Sequence, residues 1–422
     1  LLTGVVFGLV PAIRASSPEL QHSLREGSRG STRGMGGLRG ALVVAEVALA
    51  LVLVIGAGLM TRSFVKLLQV DLGFVPDHRV AINFSITRPN TDVGLLAQYQ
   101  QTLDRVREVP GVMAAGAIRD LPFRGDGEAL RFRTPSTMSV PMRDRPAATL
   151  MFTSEGFFNA MGIPLIAGRD LSRQDRRGAP IAFVVNQAFA KKYYPNQNPV
   201  GQFLIFGDTT RYAIVGLVGD VRQNAVDETP TPRVYASVYQ ILRSRVNLVA
   251  RTREGPALMI KRIEDAIHAV DPQQTITAAF TLDDAIGEAV ARLRLLVVLL
   301  GLFGSMGLVL GALGIYGVLA YLVSQRTREI GVRLALGAQP RDVLGMVVGR
   351  GLRLAGLGIV VGLAVALVIT RLMQGVLYGV TATDPLTYGV VALGLLVVAA
   401  IASWLPALRA TRVDPLVALR AE

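Results

Sequence analysis

The 422-residue sequence lacks cysteine, has only three histidines and contains no G-x-x-x-x-G-K-[ST] segment. Without cysteine the chain forms no disulfide, thiolate metal site or cysteine nucleophile, so each folded part depends on its own packed core. His22, His78 and His268 are too few for a metal site or a catalytic triad. Without a P-loop the chain cannot hold ATP phosphates in the usual way. The sequence thus predicts no catalytic residue, no metal and no cofactor here, and any ATP would be bound by a partner subunit.

Charge is unevenly distributed along the chain. Residues 63–290 carry 26 Lys and Arg against 23 Asp and Glu, whereas the remaining residues carry 18 against 8. The net charge of +13 therefore comes mainly from short stretches beside apolar segments. This distribution follows the positive-inside rule of membrane proteins and argues against a nucleic-acid-binding surface.

Hydrophobic residues make up 51% of the chain, and four long apolar segments account for the excess. A helix of about 20 residues crosses a bilayer core of roughly 30 Å. The predicted transmembrane helices cover residues 41–62, 291–323, 346–372 and 386–405. Between them, residues 63–290 form one large domain and residues 324–345 a loop, and a tail follows at 406–422.

Arginines flank these spans at three places. They lie before the first span, between the second and third, and after the fourth: Arg14, Arg25, Arg29, Arg33 and Arg39; Arg326, Arg328, Arg333, Arg341, Arg350 and Arg353; Arg409, Arg412 and Arg420. Basic loops stay in the cytoplasm, so the three clusters agree on one alternating path. We expect an inner-membrane protein whose 63–290 domain is extracytoplasmic.

Two features fall inside the predicted spans. Glu46 would cost roughly 2.5–3.5 kcal/mol at mid-bilayer, but it lies near the cytoplasmic end of its span. We expect its carboxylate to reach the interface or to pair with a basic neighbour, with a proton or substrate relay as the alternative. Glycines at steps of three and four residues predict close helix packing, and dimerisation through the same face stays open. The positions singled out are Gly307, Gly311, Gly358 and Gly362.

A repeated pattern links the two ends of the chain. Residues 11–26 read PAIRA, then Pro18, then LRE, and residues 406–420 read PALRA, then Pro415, then LR. Each passage follows an apolar run, which predicts a duplicated membrane unit whose first copy ends within 1–40. The alternative is a basic, proline-stopped flank of an ordinary membrane helix. Because the chain opens on an apolar run at Leu1, we expect a piece of a longer protein with more spans.

The 63–290 domain contains two β-α-β patterns. One comprises a strand at 79–87, a helix at 92–109 and a strand at 112–118; the other comprises 246–251, 256–270 and 275–280. They predict a split, ferredoxin-like lobe formed by 63–120 and 241–290. Residues 121–240 would form a second, inserted α/β lobe. Asp283 and Asp284 fit the start of the helix entering the second span, with Thr281 as its N-cap.

The loop between the second and third spans reads QRTREIGVRLALGA, followed by QPRD at 339–342. It predicts a short helix that stops near Gly337 and a new helix that opens at Pro340. Helical spacing puts Ile330 and Leu334 on one face and Arg326, Glu329 and Arg333 together on another. Docking to a protein partner is the favoured hypothesis, and a helix lying on the membrane surface is the alternative.

This loop resembles the signature of the FtsX/MacB-type ABC permeases, in which it contacts the ATPase subunit. SEGFFNAMGIPLIAGRD at 154–170, VVNQAFAKKYYPNQNPVGQ at 184–202 and IVGLVGDVRQ at 214–223 resemble the MacB-like periplasmic core domain of that family. The closing WLPALRATRVDPLVALR resembles its C-terminal flank. The duplicated start resembles the C-terminal part of an acidobacterial-type permease with two fused units.

The resemblance implies four transmembrane helices around an α/β extracytoplasmic domain of two lobes, and an exporter permease or mechanotransmission subunit driven by a separate ATPase. It implies, as partners, a cytoplasmic ABC ATPase, a second permease unit, membrane lipid and a periplasmic adaptor, with no nucleic acid. A scaffold that regulates envelope enzymes or signalling without moving a substrate is the alternative, and an autonomous binding receptor is a third. The implied coupling residues are Arg326, Arg328, Glu329, Ile330, Gly331, Arg333, Leu334, Ala335, Leu336, Gly337 and Ala338.

Overall fold

The structure, a computed structural model, describes residues 31–86, 91–134, 137, 140–206, 210–241, 244–336 and 339–411. The predicted repeat lies mostly outside these residues. In the described part, the helices are α1 Ser31–Leu68, α2 Asp92–Arg107, α3 Phe157–Met161, α4 Gln187–Tyr193, α5 Pro256–Val270, α6 Leu282–Gln325, α7 Thr327–Ala335, α8 Pro340–Leu372 and α9 Pro385–Thr411. Short 3-10 turns occur at Met142–Asp144 and Gln374–Val376.

The strands all belong to the region between α1 and α6. They are β1 Arg79–Ser85, β2 Val112–Ile118, β3 Glu128–Arg131, β4 Ala147–Thr153, β5 Leu165–Gly168, β6 Ala182–Asn186, β7 Phe203–Phe206, β8 Thr210–Val218, β9 Arg233–Ser237, β10 Arg245–Thr252 and β11 Ile276–Thr281. The chain divides into two compact units. Val65–Leu295 is called the sheet domain below, and the described residues before and after it are called the helical unit.

The first part of the sheet domain has the predicted split β-α-β arrangement. Strands run in the order β11-β1-β10-β2, and each neighbouring pair is antiparallel. Strands β1 and β2, joined by α2, are therefore parallel to each other, with β10 between them. Strands β10 and β11, joined by α5, are likewise parallel, with β1 between them. This is the ferredoxin-like order. The helices α2 and α5 cover one face of the sheet, where Tyr99 and Ile263 are buried.

The inserted residues continue the same sheet. Strand β4 joins β2 through the pair Ile118 and Thr153, and the order then runs β4-β9-β6-β8-β5, with β3 on β4 and β7 on β8. The buried apolar side chains divide by sheet face: Phe84, Phe132 and Phe183 share one cluster. Ala81, Met151 and Val184 share the other. The buried core is thus organised by the two faces of one sheet and not by the expected two lobes.

The helical unit contains four helices long and apolar enough to cross a membrane: Arg39–Leu68 within α1, and Leu282–Gln325, Pro340–Leu372 and Pro385–Thr411. All four exceed the predicted spans. The fourth span was predicted to end at 405, with a tail from 406, whereas α9 continues through Pro406 to Thr411. Proline removes one helical hydrogen bond, but Pro406 and the following Ala407 and Ala410 are buried in the helical unit, and this packing keeps the turn helical.

Candidate functional site

The predicted loop helix exists as α7, which follows α6 after the single residue Arg326. Arg326 donates its backbone N–H to Leu322 O at 3.2 Å, and its own carbonyl accepts from Ile330 N at 2.9 Å. The next helix, α8, opens at Pro340 with a capping box. The Gln339 backbone N–H donates to Asp342 Oδ2 at 3.1 Å. The 324–345 loop is therefore short and almost wholly helical where the structure describes it.

One side of α7 carries charge. Glu329 pairs with Arg333 at 2.7 Å and lies 3.6 Å from Arg326, as the helical spacing predicts. All three side chains are about half exposed. Exposed pairs of this spacing stabilise a helix by only about 0.3–0.5 kcal/mol. Their arrangement thus contributes little to folding and leaves a charged surface open to a partner.

The apolar side chains of α7 are split between the inside and the outside. Ile330 is buried against the helical unit, and Gly331 is buried beside it. Val332 and Leu336, one turn apart, are 37% and 82% exposed. An isolated exposed leucine is ordinary, but a helical pair flanked by the Glu329 and Arg333 ion pair is the arrangement used in helix docking. The sequence interpretation omitted Val332, although its i, i+4 spacing from Leu336 was visible.

A shallow groove of about 50 Å³ lies between the end of α6, α7 and the start of α8. We call it the basic groove. Its residues are Leu319, Leu322, Val323, Arg326, Glu329, Ile330, Arg333, Met346, Val347 and Arg350. Arg333 Nη1 lies 3.7 Å from Met346 Sδ, so α7 and α8 meet at this point. The sequence interpretation missed Met346 and Arg350 because it took the loop residues as one linear motif.

Five of the implied coupling residues add nothing to this geometry. Gly337 and Ala338 lie outside the described residues, and for Arg328, Leu334 and Ala335 the structure describes the backbone alone. The coupling role of the whole set stays a prediction.

The singled-out glycines lie where other helices come close. A Cβ added to Gly307 would be 3.2 Å from Ala50 Cα, and one on Gly311 would be 3.8 Å from Val47 Cγ2. On α8, a Cβ at Gly358 would be 2.7 Å from Val47 Cβ, and one at Gly362 would be 3.0 Å from Ala48 Cα. The first span is therefore in close contact with α6 on one side and α8 on the other.

Glu46 is exposed on α1, and its carboxylate lies against Gly314 of α6. The ion pairs of the described residues do not include Glu46, so the expected pairing with a basic neighbour is not observed there. Basic residues near this level contact tyrosines instead. The Arg39 guanidinium lies 4.1 Å from the Tyr321 ring centroid, and Arg409 donates to the Tyr316 hydroxyl at 2.8 Å.

The sheet domain offers no metal-binding cluster among its described residues. His78 Nδ1 and His268 Nε2 lie 3.4 and 3.0 Å from backbone carbonyls of nearby turns, which is a structural use. Thr281 caps α6: its Oγ1 accepts from the Asp284 backbone N–H at 3.1 Å and donates to Asp284 Oδ2 at 2.7 Å. The predicted cap is confirmed.

A cluster of carboxylates and guanidinium groups ties α2 to the loop after β5. Arg173 pairs with Asp104 and with Glu155, and Arg107 donates to Glu155 at 2.9 Å. The hydrogen bond from Arg173 holds the pKa of Asp104 below its usual range. Burial raises the pKa of nearby Asp170 to about 6, although backbone N–H groups of Leu171 and Gly156 donate to it. The cluster is a structural tether with two oppositely shifted acids.

Taken together, four membrane-length helices, a mixed α/β domain between the first and second of them and a short exposed helix between the second and third define a membrane permease. Residues 41–285 match the MacB-like periplasmic core domain, and residues 301–415 match the FtsX-like permease C-terminal family. The chain belongs to the FtsX/MacB family of ABC transporter permeases. It is an inner-membrane protein with a large extracytoplasmic domain.

Relatives are similar at low identity. The chain is 26% identical over 268 residues to the pyoverdine export ATP-binding/permease protein PvdT of Pseudomonas putida, covering 61% of this chain and 41% of that protein. It is 23% identical over 286 residues to the macrolide export ATP-binding/permease protein MacB of Mannheimia succiniciproducens, covering 64% and 42%. The chain therefore spans less than half the length of these relatives.

Among solved structures, the periplasmic region of MacB from Actinobacillus actinomycetemcomitans matches with a TM-score of 0.35 and 13% identity. The match covers 52% of this chain and 95% of that one.

Proposed function

We propose that this chain is the permease subunit of an ABC-type exporter or mechanotransmission complex and that α7 docks onto a separate cytoplasmic ATPase. The observation that carries the proposal is the outward apolar pair Val332 and Leu336, at 37% and 82% exposure, beside the Glu329 and Arg333 ion pair. The chain has no P-loop of its own, and the named relatives combine ATP-binding and permease functions. ATP would be held by the partner.

Movement would pass from the docked helix to the external domain through α6. This helix is uninterrupted for 44 residues, from the Thr281 cap to Gln325. Residue Arg326 alone separates it from α7, and Ile330 fixes α7 against the helical unit. A continuous helix transmits displacement of one end with little internal deformation, because each turn is closed by backbone hydrogen bonds.

The docking claim is tested by co-purifying the full chain with a soluble ABC ATPase from the same genome. Leu336→Asp should reduce the retained ATPase about tenfold, because the carboxylate desolvates poorly in an apolar contact. Leu372→Asp is the matched control, since Leu372 is 83% exposed at the far end of α8. Equal loss in both variants would mean a general defect instead of a docking contact.

A charge swap separates docking from helix stability. Glu329→Arg or Arg333→Glu alone breaks the ion pair within α7, whereas the double swap keeps it with reversed polarity. We expect all three variants to lose ATPase binding, since the partner sees the wrong charge in each. Full binding by the double swap would show that the pair only stabilises α7, and unchanged binding in all three would overturn the docking proposal.

A further inference from the structure

The basic groove has the composition of a lipid site. Its wall is aliphatic, formed by Leu319, Leu322, Val323, Met346 and Val347. Its rim carries three guanidinium groups, from Arg326, Arg333 and Arg350, against the single carboxylate of Glu329. An occupant with an apolar chain and an anionic head would match both parts at once.

Arg350 carries the excess charge of this rim. Glu329 pairs with Arg333 and lies within 3.6 Å of Arg326, so one carboxylate is shared between two of the three guanidinium groups. Arg350 is exposed on α8, and the ion pairs of the described loop do not include it. A phosphate placed between Arg350 and Arg333 would accept charge-assisted hydrogen bonds from both guanidinium groups. It would thereby give Arg350 an anionic partner, which the ion pairs of the described loop do not.

The groove also lies at the end of a membrane-length helix, where an apolar span gives way to basic residues. Leu319 and Leu322 belong to the apolar part of α6, and Arg326 follows directly after the end of that helix. Tyr321, which lies beneath the Arg39 guanidinium, marks the same level with an aromatic ring, as membrane interfaces do. An apolar wall at the end of a membrane-length helix, beside a basic flank, matches an acyl chain and its anionic headgroup better than a soluble protein segment.

We infer that the basic groove binds an anionic phospholipid of the cytoplasmic leaflet, with its phosphate on Arg350 and Arg333 and one acyl chain along Leu322 and Met346. The outward pair Val332 and Leu336 does not line the groove and stays free for the ATPase, whereas Glu329 and Arg333 line the groove and also stand beside that pair. Lipid binding therefore goes beyond the proposed function and does not require it.

Native mass spectrometry of the purified full chain, released from detergent with equal amounts of phosphatidylglycerol and phosphatidylcholine, tests the inference. The unmodified chain should retain phosphatidylglycerol in preference. Arg350→Gln should lower the retained phosphatidylglycerol about fivefold, since one arginine near an anionic surface contributes that order of binding. Arg353→Gln is the matched control: Arg353 is exposed on the same helix but does not line the groove.

A second variant protects the test against a folding defect. Met346→Glu places a carboxylate beside the rim and should give the same selective loss while leaving phosphatidylcholine retention unchanged. Equal retention of the two lipids by the unmodified chain, or equal loss in the Arg350 and Arg353 variants, would overturn the site. If glycerol phosphate displaced the bound phosphatidylglycerol completely, the groove would be a simple anion site. If only the ATPase displaced the lipid, the groove would be a protein contact. Either outcome would also overturn the inference. ATPase binding is measured separately, so failure of one proposal leaves the other standing.

Discussion

The sheet domain and the helical unit bury different kinds of residue. In the sheet domain, large side chains such as Phe132, Phe183 and Phe189 are fully or almost fully enclosed between a sheet and its helices. In the helical unit, many large apolar side chains point outward, among them Leu302, Phe303 and Leu313 of α6, each more than half exposed. Its helices come close together at glycines, as at Gly358, where an added Cβ would be 2.7 Å from Val47 Cβ.

The difference follows from the two solvents. Water drives apolar groups together, so burying large side chains stabilises the sheet domain. Lipid tails are as apolar as leucine, so the helices gain little from hiding large side chains and depend on close van der Waals contact between backbones. The same residue type therefore has different consequences in the two units. Two experiments test this difference, and a third, of smaller expected effect, compares two acids within the sheet domain.

The largest effect is expected from truncating an aromatic ring. Phe132 is fully buried, with ring centroids of Phe189, Tyr193 and Phe206 within 6.3 Å. Phe132→Ala should cost about 3–5 kcal/mol, seen as a lower thermal unfolding midpoint of the sheet domain, because a cavity remains. Phe303→Ala, at a site 52% exposed on α6, should change the midpoint little. A comparable loss from Phe303→Ala would show that a partner surface covers α6.

A smaller effect is expected from enlarging a glycine. Gly358→Val places its Cβ 2.7 Å from Val47 Cβ and 3.0 Å from the Val44 carbonyl oxygen, so the helices must separate. We expect a loss of about 1–3 kcal/mol, measured as the thermal midpoint of the full chain in detergent. Gly356→Val, two residues away on the same helix with no atom within 4 Å of its added Cβ, should leave the midpoint nearly unchanged. Equal behaviour of the two variants would contradict the proposed α1 and α8 contact.

The extent to which the sequence predicted the structure also depends on the kind of element. The membrane helices and the β-α-β patterns were predictable because each has a long, regular signal: apolar length in one, and strand, helix and turn residues in the other. Strand β2 and helix α5 have the predicted bounds. The Thr281 cap was also predictable, since an N-cap depends on residues three apart.

The features that the sequence did not predict depend on distant residues. The single pair of Ile118 with Thr153 joins the inserted strands to the first four, and no local pattern signals it. The basic groove is similar, because Met346 and Arg350 line it together with Arg333 only where α7 and α8 pack against each other. The predicted end of the fourth span at 405 also differs from the structure, because the burial of Pro406 overrides its local helix-breaking preference and α9 continues to Thr411.

The smallest expected effect concerns charge in the sheet domain, where two neighbouring acids are shifted in opposite directions. Burial raises the pKa of Asp170 to about 6, so its ionisation opposes folding as the pH rises from about 4 to 6. The free energy of unfolding of Asp170→Asn should therefore increase relative to that of the unmodified protein, by up to about 2 kcal/mol over that interval.

The hydrogen bond from Arg173 lowers the pKa of Asp104, so this acid stabilises the fold above about pH 4, its unfolded pKa. That stability is lost as the pH falls further. Asp104→Asn should consequently lower the free energy of unfolding most at neutral pH and least near pH 3. Thermal midpoints of both variants between pH 3 and 7, each relative to the unmodified chain, should diverge with opposite slopes. Parallel curves would contradict burial as the cause of the Asp170 shift and Arg173 as the cause of the Asp104 shift.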